Sequence, residues 1–251
     1  MAYQTIIFEQ ETDIGIVTLN RPDAKNAISL DVMSELVDCF KTMSADPSIK
    51  AVVITGGPNV FSAGFHMPHA IAAADFTKKN EMVDLCTECF LAVLKFRAPV
   101  IAAVSGPALA AGFDLQVMAD FRVYSETAKV GQVEINVAVT PLMDPLWKIV
   151  GLGVAKELTM TGRVYGAQEA YRIGLANYVY PVETFFEEAK KMAHHLAKQD
   201  PYCMQVIKEQ SNRIPGMELD QAMVSQLYGF RHFVGSPEMV RRMTAFLNKM
   251  K

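Results

Sequence analysis

The fold is decided by residues 100–134, which open with Val100-Ile-Ala-Ala-Val-Ser-Gly-Pro-Ala-Leu-Ala-Ala-Gly-Phe-Asp114 and close with Gly131-Gln-Val-Glu134. This stretch predicts a buried strand, a tight turn of small residues, a helix start and a second strand. Small residues let backbone approach a ligand closely, and the first turn of a helix offers unpaired N–H groups. We therefore expect two acids, Asp114 and Glu134, to lie beside backbone donors, as in general acid/base chemistry on a carbonyl compound.

Strand and helix signals alternate around this stretch. The expected strands are a hairpin and two buried runs, at residues 5–8, 14–19, 51–55 and 100–104. A helix is expected from the N-cap Ser29 to about residue 43 and another over about 80–96, whereas residues 59–74 show no period and predict a loop. The alternation predicts an α/β fold with parallel strands, helical crossovers and a site at the carboxyl ends of the strands.

The pattern changes to helices alone in the last part of the chain. Proline precedes or opens several segments with helical spacing, at residues 182–198, 201–213, 218–234 and 237–249. The chain is therefore predicted to consist of an α/β core over residues 1–180 and a helical region over residues 181–251.

Composition excludes several classes of protein. With 51% hydrophobic and 20% charged residues in 251, the chain is expected to be globular, and its net charge of −3 argues against a nucleic-acid surface. The longest apolar run, 98–111, is too short and interrupted to span a membrane. The N-terminus has no signal-peptide pattern and four cysteines make no disulfide framework, so a cytoplasmic location is expected.

The only CxxC pattern is formed by Cys86 and Cys89, within a stretch of helical spacing. No second pair and no nearby histidine accompany it, which favours packing thiols over a metal or redox site. His69, His194, His195 and His232 also lack the spacing of metal ligands, so we expect no bound metal.

Taken in order, several segments resemble the crotonase family of enoyl-CoA hydratases and isomerases over nearly the whole chain. They are Asn20-Arg-Pro-Asp-Ala-Lys-Asn-Ala27, Phe61-Ser-Ala-Gly-Phe65, Ala98-Pro-Val-Ile-Ala-Ala-Val-Ser-Gly106, Ala111-Gly-Phe-Asp114, Ala119-Asp120 and Gly131-Gln-Val-Glu134. The resemblance implies a crotonase-like spiral of ββα units with a C-terminal helical trimerisation region. It also implies an acyl-CoA substrate, no separate cofactor, and a homotrimer or a dimer of trimers.

The resemblance assigns roles to four site residues. The backbone N–H groups of Phe65 and Ala111 become the donors of an oxyanion hole for a thioester enolate. Asp114 and Glu134 take the places of two glutamates that hold a water molecule in the family's hydratases. Asp114 is one methylene shorter than the usual glutamate, and its alternative is a helix-start acid that contacts N–H groups; the alternative for Glu134 is a surface acid.

A third acid, Asp144, replaces a small residue of the family's glycine-rich loop, within Thr140-Pro-Leu-Met-Asp-Pro145. Two interpretations stay open, a third catalytic group or a residue that starts the following helix. The bulk of Leu142 and Met143 in this loop favours a branched, cyclic or conjugated acyl group over a short straight chain.

The resemblance also suggests contacts to coenzyme A. They are expected from Lys25, Asn26, Ala27, Ala63, Phe246 and Lys249, the last two by way of a neighbouring subunit. His66 stands where many members have an aspartate, and either contacts CoA or caps its loop.

These features predict hydration of an α,β-unsaturated acyl-CoA with Asp114 and Glu134 as the acid/base pair. The first alternative is an isomerase that moves a double bond, with Asp144 as one of its bases. Hydrolysis or decarboxylation of an acyl-CoA could use the same oxyanion hole. A non-catalytic acyl-CoA-binding protein is the alternative of another class, because a fold does not fix a function.

Overall fold

The computed structural model describes residues 3–250. It divides into two compact units, Met1–Gln199 and Asp200–Lys251. The expected boundary after residue 180 lies too early, because the helix Phe185–Ala197 buries its alanine face among the strands of the first unit. The two units are described separately below.

The main sheet of the first unit has six strands among the described residues. Its order is β1-β2-β3-β4-β6-β9, and only the β1–β2 hairpin is antiparallel. A smaller sheet has the order β5-β7-β8. The strands are β1 Ile6–Glu11, β2 Ile14–Leu19, β3 Ala51–Thr55, β4 Val100–Val104, β5 Pro107–Leu109, β6 Phe121–Ser125, β7 Lys129–Gly131, β8 Tyr165–Gly166 and β9 Tyr178–Tyr180.

The helices of the first unit are α1 Leu30–Ala45, α2 Met67–Ala72, α3 Phe76–Leu94, α4 Ala111–Val117, α5 Leu146–Val150, α6 Leu152–Thr161, α7 Ala167–Arg172 and α8 Phe185–Ala197. Those of the second unit are α9 Pro201–Arg213, α10 Leu219–Phe233 and α11 Pro237–Lys249. Short 3-10 helices occur at Pro22–Ala24, Glu134–Val137 and Ile214–Gly216. Within residues 3–250, no helix has both the length and the apolar character needed to cross a membrane.

The predicted α/β pattern is confirmed, with two local corrections. The expected loop 59–74 contains the helix α2, whose six residues are too few to show a helical period. Helix α3 begins at Phe76 rather than near residue 80, because the side chain of Asp75 caps it by accepting a hydrogen bond from the Lys78 N–H.

Strands β3 and β4 are buried on both faces, and this places the site. Their alternate residues Val52 and Ile54 pack with α1 and α3, whereas Ala51 and Val53 pack with α8. Because the two strands are parallel neighbours, their carboxyl ends lie at the same edge of the sheet. The segments that follow them, residues 56–65 and 105–111, therefore meet there.

The alanine face of α8 yields a stability prediction. Ala193 is fully buried against the main sheet, so Ala193→Leu adds volume where none is available and lowers the free energy of unfolding by about 1–3 kcal/mol. His195 lies on the exposed side of the same helix, and His195→Leu serves as the control, with an effect within about 0.5 kcal/mol. Urea denaturation of both variants measures the difference; equal losses would contradict the packing described here.

Candidate active site

Gly64 brings together the two backbone segments that carry the expected oxyanion donors. Its φ of +103° suits glycine, and an added Cβ would lie 2.8 Å from the Cβ of Ala110 and 3.7 Å from the N of Ala111. At the next residue of α4, a Cβ on Gly112 would lie 2.6 Å from the Cβ of Ser62. The loop before Phe65 therefore packs directly on the backbone that opens α4, and only small residues fit the contact.

The hydrogen bonds around Phe65 set the direction of its N–H group. The Ile28 N–H donates to the Gly64 carbonyl at 2.8 Å, and the His66 N–H donates to the Ile28 carbonyl at 2.9 Å. In such a parallel bridge the N–H of the central residue, here Phe65, points away from the partner. This N–H finds no acceptor among residues 3–250 and is free to bind a ligand.

The second donor is set by a strained turn. Ala110 has φ 49° and ψ −127°, a conformation that costs a non-glycine residue on the order of 1–3 kcal/mol. Its own N–H donates to the Gly131 carbonyl at 3.0 Å, which ties the turn to β7. Ala111 follows as the first residue of α4, so its N–H has no partner within the helix. The structure thus brings the Phe65 and Ala111 segments to the same place.

Asp114 and Glu134 form a buried pair of acids. Asp114 lies in the first turn of α4 with 4% of its surface exposed, and Glu134 opens the 3-10 helix after β7 with 6% exposed. Burial, and then the negative charge of Glu134, raise the pKa of Asp114 well above its usual range. Burial also raises the pKa of Glu134. The negative charge of Glu134 opposes ionisation of Asp114, which favours a state in which the pair keeps one proton.

The two acids affect each other in opposite directions. The charge of Glu134 raises the pKa of Asp114, whereas the interaction with Asp114 lowers the pKa of Glu134. The Glu134 Oε2 atom is buried and receives no N–H or hydroxyl donor among the described residues. One member of the pair is therefore arranged as an acid and the other as a base.

Gln132 joins this pair to the following loop. Its fully buried side chain donates from Nε2 to the Asp114 Oδ1 and to the Leu142 carbonyl, each at 2.7 Å. The sequence did not indicate Gln132 as a site residue, although it lies inside the motif that ends at Glu134. A glutamine two positions before a candidate catalytic acid is a weak signal, and only the fold reveals its partners.

Asp144 lies at the surface, where it contacts the helix that follows it. Its side chain is 56% exposed, forms an ion pair with Lys148 at 2.8 Å and accepts a hydrogen bond from the Trp147 Nε1 at 3.2 Å. Both partners lie on α5, which begins two residues later. These contacts agree with the interpretation that Asp144 starts this helix.

The loop expected to contact CoA is held by Asn26. This buried residue accepts a hydrogen bond from the Arg21 N–H at 2.9 Å and donates to the carbonyls of Gly56 and Val60 at 3.0 and 2.9 Å. These bonds use the side chain to shape the loop rather than to meet a ligand. Lys25 precedes it in the left-handed region with φ 51°, and its carbonyl accepts from the Ala63 N–H at 3.0 Å.

The remaining expected CoA contacts are accessible but not assembled within one unit. Lys25 and Ala63 are exposed, and Ala27 is half-buried beside them. Phe246 and Lys249 lie on α11 of the second unit, with their side chains exposed. Their expected role by way of a neighbouring subunit stays a prediction.

The histidines near Phe65 have different surroundings. The Nδ1 atom of His69 accepts a hydrogen bond from the Leu30 N–H at 3.3 Å, at the start of α1. His66 is the N-cap residue of α2, and its buried Nδ1 has no hydrogen-bond partner among the described residues. Burial, followed by the charges of His69 and Arg21, lowers the pKa of His66.

The two cysteines of the CxxC pattern lie on the inner side of α3. Cys89 is fully buried, both side chains pack in the main hydrophobic core, and burial raises the pKa of Cys86 to about 12. Both are free thiols. Such protonated, packed thiols agree with the packing interpretation. In the part of the chain from residue 3 to 250, no group of three or more His, Cys, Asp or Glu side chains could hold a metal ion.

Comparison with known proteins identifies relatives along the whole chain. The family model described as "Enoyl-CoA hydratase/isomerase" matches residues 9–251. A crotonyl-CoA hydratase from Syntrophomonas wolfei is 34% identical over 260 residues, which cover 100% of this chain and 98% of the relative. A short-chain-enoyl-CoA hydratase from Clostridium acetobutylicum is 31% identical over 263 residues, covering 100% and 97%.

Solved structures agree with the sequence comparison. The crystal structure of an enoyl-CoA hydratase from Bacillus anthracis matches with a TM-score of 0.92 at 27% identity, covering 98% of this chain and 97% of that one. A putative enoyl-CoA hydratase from Streptomyces coelicolor A3(2) matches with a TM-score of 0.93 at 26% identity, covering 99% and 93%. The expected crotonase-like fold is thereby confirmed.

The contact at Gly64 leads to a prediction about the free energy of unfolding. It separates the cost of a steric clash from the cost of backbone strain. Gly57→Ala places a Cβ at φ +85° in open space, so it costs only backbone strain, about 1 kcal/mol of unfolding free energy. Gly64→Ala adds a clash with Ala110 and the Leu109 carbonyl, for a further loss of about 1–3 kcal/mol. Chemical denaturation compares the two variants, and the close contact is refuted if they lose the same stability.

Proposed function

Because the chain belongs to the enoyl-CoA hydratase/isomerase family, we propose that it is a lyase that adds water across the 2,3 double bond of an enoyl-CoA thioester. The observation that carries this proposal is the buried pair of Asp114 and Glu134, in which burial raises the pKa of both carboxyl groups. The free N–H groups of Phe65 and Ala111 support it, because an enolate oxygen needs two such donors.

In the proposed reaction the thioester oxygen accepts hydrogen bonds from the Phe65 and Ala111 N–H groups. Glu134, as the carboxylate, removes a proton from water while the water oxygen bonds to C3 of the acyl group. Electrons of the double bond pass to the thioester as an enolate, which the two donors stabilise. Asp114 then delivers its proton to C2, so that one water molecule has been added.

A proton shared by the two acids returns the pair to its starting protonation state after each turnover. After the reaction Asp114 is ionised and Glu134 holds the proton taken from water. That proton then returns to Asp114 within the buried pair, because burial and the charge of Glu134 favour a protonated Asp114. The pair holds one proton before and after each turnover, and no other group has to supply one.

The proposal includes the way in which CoA is held. Lys25, Ala27 and Ala63 lie at the surface beside the Phe65 loop and contact the CoA part of the substrate, while Asn26 keeps this loop in shape. Phe246 and Lys249 reach CoA from a neighbouring copy of the chain.

We further propose that the chain forms a homotrimer or a dimer of trimers and is located in the cytoplasm. The second unit supports an assembly because α10 and α11 expose large apolar side chains, among them Leu219, Tyr228 and Leu247. Membrane or nucleic-acid partners play no part in it, and CoA enters as part of the substrate rather than as a resident cofactor.

The acyl group is proposed to be branched, cyclic or conjugated. The support is the loop after Glu134, where Val137, Val139 and Leu142 expose apolar side chains. Bulky apolar residues next to the acids favour a bulky apolar group over a small one.

Double-bond isomerisation is the second candidate, and the pairing of two buried acids favours it. An isomerase removes a proton from one carbon and returns it to another, so two carboxyl groups that exchange one proton suffice without added water. The mass of the product distinguishes the two reactions, because only hydration adds one water molecule.

A panel of enoyl-CoA substrates tests the proposal. The protein is expected to yield products heavier by one water, and Glu134→Gln and Asp114→Asn each lower kcat by about 10²–10⁴-fold while still binding the substrate. Asp144→Asn is the matched control, because this acid is exposed and paired with Lys148, so its loss is expected to change kcat little.

Three results would count against hydration by this pair. They are products of unchanged mass, a Glu134→Gln variant with normal turnover, and an Asp144→Asn variant as impaired as Asp114→Asn. The last result would make Asp144 a third catalytic group. If the protein binds acyl-CoA but converts none of the substrates, the non-catalytic alternative is favoured.

A further inference from the structure

We propose that Ser105 is a positioning residue for the oxyanion hole, because its hydroxyl group fixes the loop that presents the Phe65 N–H to the thioester oxygen. The proposal rests on the proposed function, since it concerns how one of the two donors is held in place. Its evidence is a hydrogen bond of 2.5 Å from the hydroxyl of the fully buried Ser105 to the Pro58 carbonyl, in the segment between β3 and Phe65.

Three hydroxyl groups form a chain that ends on the Pro58 carbonyl. The Ser105 Oγ atom lies 2.8 Å from the Ser125 Oγ atom, which lies 2.7 Å from the Thr127 Oγ1 atom. A carbonyl has no hydrogen to give, so Ser105 uses its single proton on Pro58 and accepts from Ser125. Ser125 in turn accepts from Thr127. Because all three bonds run in one direction, each hydroxyl strengthens the next one as a donor.

This chain of hydroxyl groups crosses the carboxyl ends of three neighbouring strands. Pro58 follows β3, Ser105 is the residue after β4, and Ser125 is the last residue of β6. These buried strands give a fixed support to the irregular segment that follows β3. The Pro58 carbonyl is the point at which this segment is attached to the support.

The loop then runs alongside the segment that follows β4. We call these two stretches, residues 58–64 and 105–110, the seam. A Cβ on Gly106 would lie 1.9 Å from the Asn59 carbonyl oxygen, so the two backbones touch one residue beyond the Ser105 hydrogen bond. The seam is therefore closed from its first residues.

Backbone hydrogen bonds continue the seam toward the oxyanion donors. The Ser62 N–H donates to the Pro107 carbonyl, and the Leu109 N–H donates to the Ser62 carbonyl, each at 3.0 Å. The close contact at Gly64 follows, and the next residue carries the first oxyanion donor. Because the two stretches are held in one register, a displacement at the beginning of the seam is passed along to this donor.

Stabilisation of an enolate depends steeply on the position of its donors. An oxyanion donor acts at about 2.7–3.1 Å from the oxygen, and a misplacement of about 1 Å costs about 10²-fold in rate. Loss of the Ser105 hydroxyl leaves the other contacts of the seam in place, so the expected displacement is smaller. Substrate binding depends mainly on the CoA part of the molecule and changes less than the rate.

Ser105→Ala tests the proposal, because it removes the donor to Pro58 and little volume. The kcat value is expected to fall about 10-fold with little change in KM. Thr159→Val is the matched control, since it removes a buried hydroxyl that also donates to a backbone carbonyl, that of Ala155 at 2.9 Å, and turnover stays at the parent value. Ser125→Ala keeps the bond to Pro58 and is expected to lower kcat less than Ser105→Ala.

A second measurement needs no turnover. Isobutyryl-CoA labelled with carbon-13 at the thioester carbonyl has no double bond to hydrate, so it stays intact in the site. Hydrogen bonds from the two oxyanion donors lower the infrared stretching frequency of its carbonyl. This frequency is expected to rise in Ser105→Ala and to equal the parent value in Thr159→Val. Ser105→Cys fills the volume of the hydroxyl with a weak donor, so it gives the same rise and serves if the alanine variant does not fold.

The outcomes separate this proposal from the proposed function. An unchanged carbonyl frequency in Ser105→Ala, or a Ser125→Ala variant as impaired as Ser105→Ala, overturns the role of Ser105. A raised frequency in a protein that hydrates no enoyl-CoA refutes the proposed function and leaves Ser105 as the residue that positions the Phe65 N–H. A parent protein that does not lower the carbonyl frequency of isobutyryl-CoA has no oxyanion hole, which refutes both proposals.

Discussion

The close approach of two backbone segments at Gly64 is the constraint on which the rest of the site depends. A single added carbon at this position would lie 2.8 Å from the Cβ of Ala110, so the loop after β3 can pack on the turn between β5 and α4 only if residue 64 has no side chain. The same contact places Phe65 next to Ala111. It also accounts for the strain at Ala110, since a relaxed alanine would direct the following N–H elsewhere.

Burial changes the protonation of Asp114 and Glu134 and so makes two common side chains suitable for acid/base catalysis. In water both carboxyl groups would be ionised at neutral pH, but burial and mutual repulsion keep one proton between them. The pKa of Asp114 is raised by burial and by the charge of Glu134, so this pair can supply both a donor and an acceptor of protons. Such a pair reduces stability at neutral pH, because the unfolded chain would release the proton freely. The large core on both faces of the main sheet offsets this cost.

The sequence predicts the elements whose signals are local. Buried runs bounded by glycine and proline give β3 and β4 with the correct ends, and Ser29 marks the start of α1. Helix α2 is too short to show a period, and the boundary near residue 180 misses the packing of α8 on the sheet. Hydrogen-bond partners that are distant in sequence could not be predicted from local patterns. The role of Asn26 depends on carbonyls about thirty residues away, and that of Gln132 on the fold of two loops.

The central claim is that Asp114 and Glu134 share one proton, while the N–H groups of Phe65 and Ala111 are free to bind the thioester oxygen. Carbon-13 NMR of the labelled carboxyl groups, assigned with the Asp114→Asn and Glu134→Gln variants, measures this directly. The structure predicts a protonated Asp114 beside an ionised Glu134 at neutral pH, with a single release of one proton well above the usual range of aspartate. Two carboxylates that are both ionised at neutral pH would contradict it.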